Sequence, residues 1–499
     1  MAFAIVPYIF LLAIFLVLPP STIAQSYKNV SLGSTLTTSD VTKFWPSPSG
    51  EFAFGFRKIG NGSGFLLAIW FNKLKEKTIV WSANRNKIAP DGSKIELSID
   101  GRLVLTDPNG QEIWSRYTAS AGLAYGTMLD TGNFVLATSS SAILWQSFDE
   151  PTDTILPGQV LNKGTRLISS FSDTNVSSGR FELLLQDDGN MVLNKLNYPI
   201  DAANDAYWAT LTAGSGYQVI FNQSGFIFVQ AENGTVVNLV SSSNKINSTT
   251  RQLYQRAVLE YDGVFRHYAY PKKSSSGRLM EWSTLYHIPD NICLVIAQAK
   301  RGVACGFNSI CRTGTDQRPR CDCPHGYIFN DPNDKLGSCR RNFPEQDCKD
   351  ESRDVEAFTI QEMLNTNWFF GDYESYQDVT EDWCKQNCLS DCYCVVAVYG
   401  ANKVCWKKIK SYEEDMTNEN EMILAEWACD CYRRKELHLL AGDDEEAIEG
   451  IEGFEKLLMV AIWCIQESPA LRPNMKNVML MLEGSVEVSV PPDPFFCSV

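Results

Sequence analysis

Cysteine is absent before Cys293 and then crowds: of the sixteen in the chain, twelve fall between Cys293 and Cys405. So long a cysteine-free stretch excludes a single disulfide scaffold, and the cluster marks small stapled modules made in an oxidising compartment. Histidine is scarce. The four are His267, His287, His325 and His438, none in a nucleophile motif, and no G-x-S-x-G occurs, which removes the hydrolase readings. Phosphoryl transfer needs a Gly-rich loop, a strand lysine, a catalytic-loop aspartate and a magnesium-binding aspartate. The sequence offers only loop glycines such as Gly60-Asn61-Gly62 and Gly214-Ser215-Gly216. Long apolar runs are also missing. Leu457 to Ile465 is far short of the ~20 residues of a membrane span, and Val6 to Leu18, followed by Thr22-Ile23-Ala24, reads as a signal peptide over residues 1–24, cut before Gln25. Basic charge is outweighed. The net charge is −15, and Ser411 to Glu455 alone holds fifteen acidic against three basic residues. Nucleic acid is therefore excluded as a partner, and the acidic run reads as a solvated linker.

What is present is a repeat. Val80-Trp81-Ser82, Ile113-Trp114-Ser115 and Leu144-Trp145-Gln146 recur at spacings of 33 and 31 residues. The turn–strand unit Asp100-Gly101-Arg102-Leu103-Val104-Leu105 recurs as Thr131-Gly132-Asn133-Phe134-Val135-Leu136. Turn residues between alternating apolar runs are hairpin signals, and a period of about 30 residues implies three similar sheets that cannot bury their faces singly. The three tryptophans should then meet at a shared centre. Weaker copies of the same vocabulary continue to Ile288: Phe181 to Leu185, Asp188-Gly189-Asn190, Tyr207-Trp208, Phe226 to Val229, Tyr261-Asp262-Gly263 and Glu281-Trp282.

TIVWSANR (Thr78 to Arg85) and LWQSFDEPTDTILPGQ (Leu144 to Gln159) resemble the bulb-type (G-type) lectin domain of plant S-receptor-like serine/threonine protein kinases. The resemblance implies a mainly β fold: tandem bulb-lectin β-prisms at 25–158 and 159–288, then disulfide-rich EGF-like and PAN/apple modules, then a short α-helical kinase C-lobe remnant. CGFNSIC and CDCPHGY carry the EGF-like resemblance at 289–340. Six cysteines allow fifteen connectivities by spacing alone; the family pattern implies Cys293–Cys311, Cys305–Cys321 and Cys323–Cys339. A zinc site would need wider C-x₂₋₄-C knuckles than Cys321-x-Cys323, so no metal is assigned. EDWCKQNCLSDCYC and VCWKK resemble a shortened PAN/apple module at 348–410. Cys384, Cys388 and Cys392 stand at i, i+4 and i+8, so a helix would align them. The resemblance implies Cys384–Cys405, Cys388–Cys394 and Cys348–Cys392. Residues 411–499 read as the acidic linker and kinase remnant, with the transmembrane helix and most of the kinase missing. Leu457, Leu458, Val460, Ala461 and Cys464 should form one helix face and Val478, Leu480, Met481 and Leu482 another, with Pro469 and Pro473 between.

Bulb lectins hold mannose through Q-x-D-x-N-x-V-x-Y, and Gln186, Asp188, Asn190 and Val192 match four of its five positions, with Asn194 in place of tyrosine. The same Asp-Gly-Asn also makes an Asx turn with no ligand. Two further turns are eroded, one with Ser98, Asp100, Arg102, Val104 and Thr106, the other with Leu129, Thr131, Asn133 and Val135. Sequons stand at Asn29, Asn61, Asn175, Asn222, Asn233 and Asn247. The reading is a secreted, apoplastic recognition module without catalytic residues or cofactor. It would bind a mannose-type glycan or a protein, or pair with full-length receptor kinases of the family, in stress or defence signalling. The alternative is an incomplete product of an ATP-dependent, membrane-spanning kinase.

Overall fold

The computed structural model describes residues 29–59, 64–117, 122–197, 202–203, 206–241, 252–273, 280–298, 304–306, 308–343, 358–366, 368, 372–391, 393–409, 428–429, 431–433, 435–441, 450–465, 473, 475–486 and 488–491. The leader, Asn61, Asn247, Cys348, Cys392 and most of the acidic run lie outside them.

Hairpins follow the turn residues. At Thr131-Gly132-Asn133, Leu129 and Asn133 close the turn between strands Leu123–Met128 and Phe134–Thr138. Gly132 has φ +89°, and a Cβ there would lie 2.4 Å from Leu156 and 2.9 Å from Phe52, so both its backbone and its neighbours demand glycine. Three such meanders build the first unit. Phe52–Ile59, Gly64–Phe71 and Ile79–Ser82 form its first sheet, Lys94–Leu97, Arg102–Thr106 and Glu112–Tyr117 its second, and Leu123–Met128, Phe134–Thr138 and Ile143–Gln146 its third. Three short leading strands complete them in reverse order: Val30–Ser31 joins the third sheet, Thr35–Thr37 the second and Phe44–Pro46 the first.

The inward faces meet as the repeat predicts. Trp81, Trp114 and Trp145 form an edge-to-face triangle with ring centroids 6.0, 6.1 and 6.1 Å apart. Glu150 fastens it: its carbonyl accepts from Trp81 Nε1 at 2.8 Å, and its carboxylate accepts from Trp145 Nε1 at 3.0 Å and from the Arg116 guanidinium at 2.7 Å.

The second unit repeats this topology. Ser178–Leu185 and Met191–Asn197, with Trp208–Ala209, make its first sheet; Gln218–Phe221, Ile227–Gln230 and Val236–Ser241 its second; Leu253–Leu259, Phe265–Pro271 and Ser283–Ile288 its third. Its leading strands again enter in reverse order, Thr154–Ile155 to the third sheet, Val160–Asn162 to the second and Arg166–Ser170 to the first. The second unit therefore starts upstream of the expected 158/159 boundary. The end of the LWQSFDEPTDTILPGQ motif is its first strand, which a linear reading assigns to the preceding repeat.

No tryptophan triangle centres this unit. His267 takes an interior place instead. Its Nδ1 faces the Ser241 hydroxyl and its Nε2 the Gln255 amide oxygen, both at 2.9 Å, with Phe221 edge-on at 5.0 Å. Burial lowers its pKa from the ordinary 6.5 to about 4. The unfolded chain thus binds one more proton than the native state between these values. Stability contributed by the neutral ring is complete above pH 6.5 and is lost as pH falls toward 4, on the order of 3 kcal/mol. Urea midpoints of parent and His267→Gln measured from pH 7 to pH 4 should converge on acidification; parallel curves would show that His267 does not titrate on unfolding.

Downstream, helix α1 (Ile292–Gln298) and the hairpins Ile310–Thr313/Pro319–Asp322 and Tyr327–Phe329/Cys339–Arg341 are stapled by Cys293–Cys311, Cys305–Cys321 and Cys323–Cys339. A sheet of Asp372–Tyr376, Cys405–Ile409 and Cys394–Tyr399 carries helix α2 (Glu381–Leu389) through Cys384–Cys405 and Cys388–Cys394. The i, i+4, i+8 helix reading fails at its last position, because α2 stops at Leu389. Ser390 caps it, and Asp391 accepts from Tyr393 N at 3.0 Å in the turn that follows.

Helices follow at α3 (His438–Ala441), α4 (Ile451–Cys464) and α5 (Met475–Glu483). The expected faces are partly wrong. Val460, Ile462 and Val478 are buried, whereas Leu457, Ala461, Cys464 and Leu482 are exposed. Val460 and Ile462 lie two positions apart, so burial on α4 does not follow a single apolar stripe.

Candidate functional site

The sequence-predicted sugar hairpin closes the first sheet of the second unit. Gln186 N donates to Asn190 O and Gly189 N to Gln186 O, both at 2.9 Å. Met191 and Leu193 enter the core, so the alternating Val192 and Asn194 take the opposite face with Glu182 and Leu184. Gly189 has φ +89°, and a Cβ on it would lie 2.0 Å from the Gly216 carbonyl oxygen, which no other residue tolerates.

The structure brings Gln186, Asp188, Asn190 and Val192 onto this one hairpin and uses part of their bonding capacity internally. Asp188 Oδ1 accepts from Asn190 N at 2.8 Å, an Asx turn, and its carbonyl accepts from Gly214 N at 2.7 Å. Asn190 Oδ1 accepts from Thr212 N at 3.1 Å and from Thr210 Oγ1 at 3.2 Å. Among the described residues no protein group pairs with the second Asp188 oxygen, the Asn190 amide nitrogen or the Gln186 side-chain amide. These are the acceptors and donors that sugar hydroxyls require. Val192 is only 2% exposed, so the apolar surface it presents is small. Asn194 is buried as well and donates to Glu182 Oε1 at 3.0 Å, while Glu182 pairs with Arg166 at 2.7 Å. The position where the motif has tyrosine thus serves to satisfy a buried carboxylate.

The two eroded turns are committed to structure. Asp100 pairs with Arg102 at 2.8 Å, and the Ser98 hydroxyl and then Arg102 hold its carboxyl below the ordinary range. Asn133 donates to Gln146 Oε1 at 2.8 Å and accepts from Ser147 Oγ at 3.1 Å and Phe148 N at 3.2 Å. Of the sequons, Asn29, Asn175 and Asn233 are exposed and Asn222 is half-buried.

Sequence reasoning missed the role of Arg85, the last residue of TIVWSANR. It crosses to the second unit and donates to Ile168 O at 2.9 Å and Ser169 O at 3.1 Å, with Asn86 Nδ2 on Ser178 Oγ at 2.8 Å. Trp282 crosses in the other direction. It packs 5.3 Å from Phe71 and donates Nε1 to Thr78 Oγ1 at 3.1 Å, while Lys272 pairs with Glu51 at 2.9 Å. The motif is a clamp between two prisms. Only the separation of its partners, 83 to 92 residues along the chain, hides this from a linear reading.

A family model described as "D-mannose binding lectin" matches residues 78–167. Over 400 residues, 77% of the chain, the sequence is 40% identical to the G-type lectin S-receptor-like serine/threonine-protein kinase LECRK2 of Oryza sativa subsp. indica, covering 49% of that protein. The chain is a relative of the G-type lectin S-receptor-like kinases. The kinase RLK1 of Arabidopsis thaliana is 38% identical over 410 residues, 77% of this chain and 48% of its own. The chain thus spans about half the length of these G-type lectin relatives. Among solved structures, the mannose-specific agglutinin from snowdrop (Galanthus nivalis) bulbs matches at 19% identity and TM-score 0.18, over 26% of this chain and 98% of that one. The bulb-lectin fold class stands on the three-sheet topology of both units. No described helix is long and apolar enough to cross a membrane.

Proposed function

We propose that the chain is a secreted, glycosylated glycan-recognition module of the G-type lectin receptor-kinase family, without phosphotransfer activity of its own, acting in stress or defence signalling. The tandem prisms, the EGF-like module at 289–340 and the PAN/apple module at 348–410 form its recognition half. Asn29, Asn61, Asn175, Asn222, Asn233 and Asn247 are its glycan acceptors. Its ligand is a mannose-type glycan held at Gln186, Asp188, Asn190 and Val192; protein ligands and full-length receptors of the family are the further partners. One observation carries the reading: the hairpin that keeps the motif also leaves unspent an Asp188 carboxylate oxygen, the Asn190 amide nitrogen and the Gln186 amide.

Asp188→Ala should weaken methyl α-mannoside binding at least tenfold in calorimetry while thermal unfolding stays within a few degrees of the parent, because a hydrogen bond to a charged group is worth about 1.5–3 kcal/mol. A variant that binds as the parent does removes the hairpin from the site.

The alternative, a portion of an ATP-dependent membrane-spanning serine/threonine kinase, is favoured by one fact: the chain covers 49% of its kinase relative. The transcript between the codons of Cys405 and Glu421 separates the two, since an intervening span-and-kinase segment there supports the alternative and a continuous reading frame refutes it.

A further inference from the structure

The carbonyl of Asp188, the side chain of Asn190 and the carbonyl of Gly189 all bond to one loop. Gly214 N donates to Asp188 O at 2.7 Å, Thr212 N to Asn190 Oδ1 at 3.1 Å and Thr212 Oγ1 to Gly189 O at 2.8 Å. Asn238 Nδ2 adds a bond to Thr210 O at 2.9 Å. Leu211 within this loop has φ +57°, a left-handed conformation that costs a non-glycine residue about 1 kcal/mol. The hydrogen bonds hold the loop against that cost. Its far side forms one wall of a cleft of about 460 Å³ at the end of the second sheet.

Ser215 and Tyr217 line the cleft from this loop, Lys163 from the turn after strand Val160–Asn162, and Glu232 and Asn233 from the turn before strand Val236–Ser241. The volume lies in the range of small-ligand sites, roughly 300–1,000 Å³. The lining is polar, and the Lys163 and Glu232 charges cancel, which suits a neutral ligand. Tyr217 is 42% exposed and offers its ring. A neutral ligand with many hydroxyls and a flat C–H face fits all three features: hydroxyls for ammonium, carboxylate and Ser215, and a C–H face for the Tyr217 ring. That is a pyranose.

We infer that this cleft is a second saccharide subsite, adjoining the hairpin, and that the chain takes an oligosaccharide whose second ring stacks on Tyr217. The inference rests on the carbohydrate reading above and extends it to ligand length. Gly189 backs directly onto Gly216, so the hairpin turn and the cleft wall are in contact.

Asn233, on the rim, is itself a sequon whose Oδ1 is held by Thr235 Oγ1 at 2.7 Å, so a glycan on it would compete for the cleft. The test therefore uses the full chain and its Asn233→Asp variant, which removes the acceptor and keeps the turn oxygen. Binding of methyl α-mannoside and of an α-linked mannotriose is measured by calorimetry on each, with and without Tyr217→Ala. The expected result is a tenfold or greater preference for the trisaccharide in at least one of the two chains, abolished by Tyr217→Ala with monosaccharide binding unchanged; losing an aromatic contact residue commonly costs over 1 kcal/mol, close to tenfold. A preference that survives Tyr217→Ala, or no preference in either chain, overturns the subsite and leaves the hairpin reading intact. A chain that binds neither sugar overturns the carbohydrate reading and the subsite with it.

Discussion

Arg266→Gln should destabilise the second prism by about 3–5 kcal/mol, because it leaves two carboxylates, the buried Asp262 and the half-buried Glu260, sharing Arg318 alone. Asp262 is 2% exposed and sits 2.8 Å from Arg266 Nη1, which also meets Glu260 at 2.5 Å. Burial pushes the Asp262 carboxyl above its ordinary pKa even with Arg266 beside it. Arg318, from the turn of a disulfide-stapled hairpin, completes the cluster at 2.7 Å from Glu260 and 3.1 Å from the Tyr268 hydroxyl, and Arg266 Nη2 donates to Gln317 O at 3.1 Å. The same ions therefore hold the prism and dock the module that follows it. Adding Asp262→Asn to Arg266→Gln should recover part of the loss, since the excess buried negative charge is then gone. Urea denaturation of the two variants checks both statements. A single variant within 1 kcal/mol of the parent would show that the cluster is solvated enough to lose a partner cheaply.

Trp81→Ala should cost the first prism about 3–5 kcal/mol, the range for removing a large buried aromatic side chain. The side chain is 5% exposed, meets two other indoles edge-on, lies 6.3 Å from Phe54 and donates to the Glu150 carbonyl. Its removal opens a cavity at the one point where all three sheets converge. The thermal midpoint of this unit should fall on the order of 10 °C, with Trp145→Phe falling less because the ring and its packing remain while the bond to Glu150 is lost. A Trp81→Ala midpoint within 2–3 °C of the parent would mean that the surrounding strands collapse into the gap.

The architecture was legible because its signals are local. Asp100-Gly101 and Thr131-Gly132-Asn133 announce hairpins through turn chemistry, and the half-buried and buried alternation of Arg102 to Thr106 follows from the pleat. The tryptophan spacing sufficed to predict the shared centre. Other expectations depended on what lies across the fold. Thr154–Ile155 is too short to declare its sheet, and its partner Leu253–Leu259 is about a hundred residues away. Helix α2 stops at Leu389 although the cysteine spacing runs on, because Ser390 and Asp391 divert the backbone. Burial on α4 is set by its packing and not by its count of apolar residues.

The candidate site divides in the same way. The sequence by itself determined the motif hairpin at Gln186 to Val192, the repeat that makes two prisms and the family resemblance, since each resides in neighbouring residues and fixed short spacings. Only the tertiary structure decided what those groups are bonded to. Asn190 gives its oxygen to Thr212 and keeps its nitrogen, Asn133 keeps neither, Arg85 clamps Ile168, and Arg318 meets Glu260 and Asp262. Hydrogen bonds and ion pairs act over about 3 Å, whatever the separation along the chain. Which groups come within that reach depends on how six sheets assemble, and a pattern confined to one strand and its turn carries no information about the strand beside it.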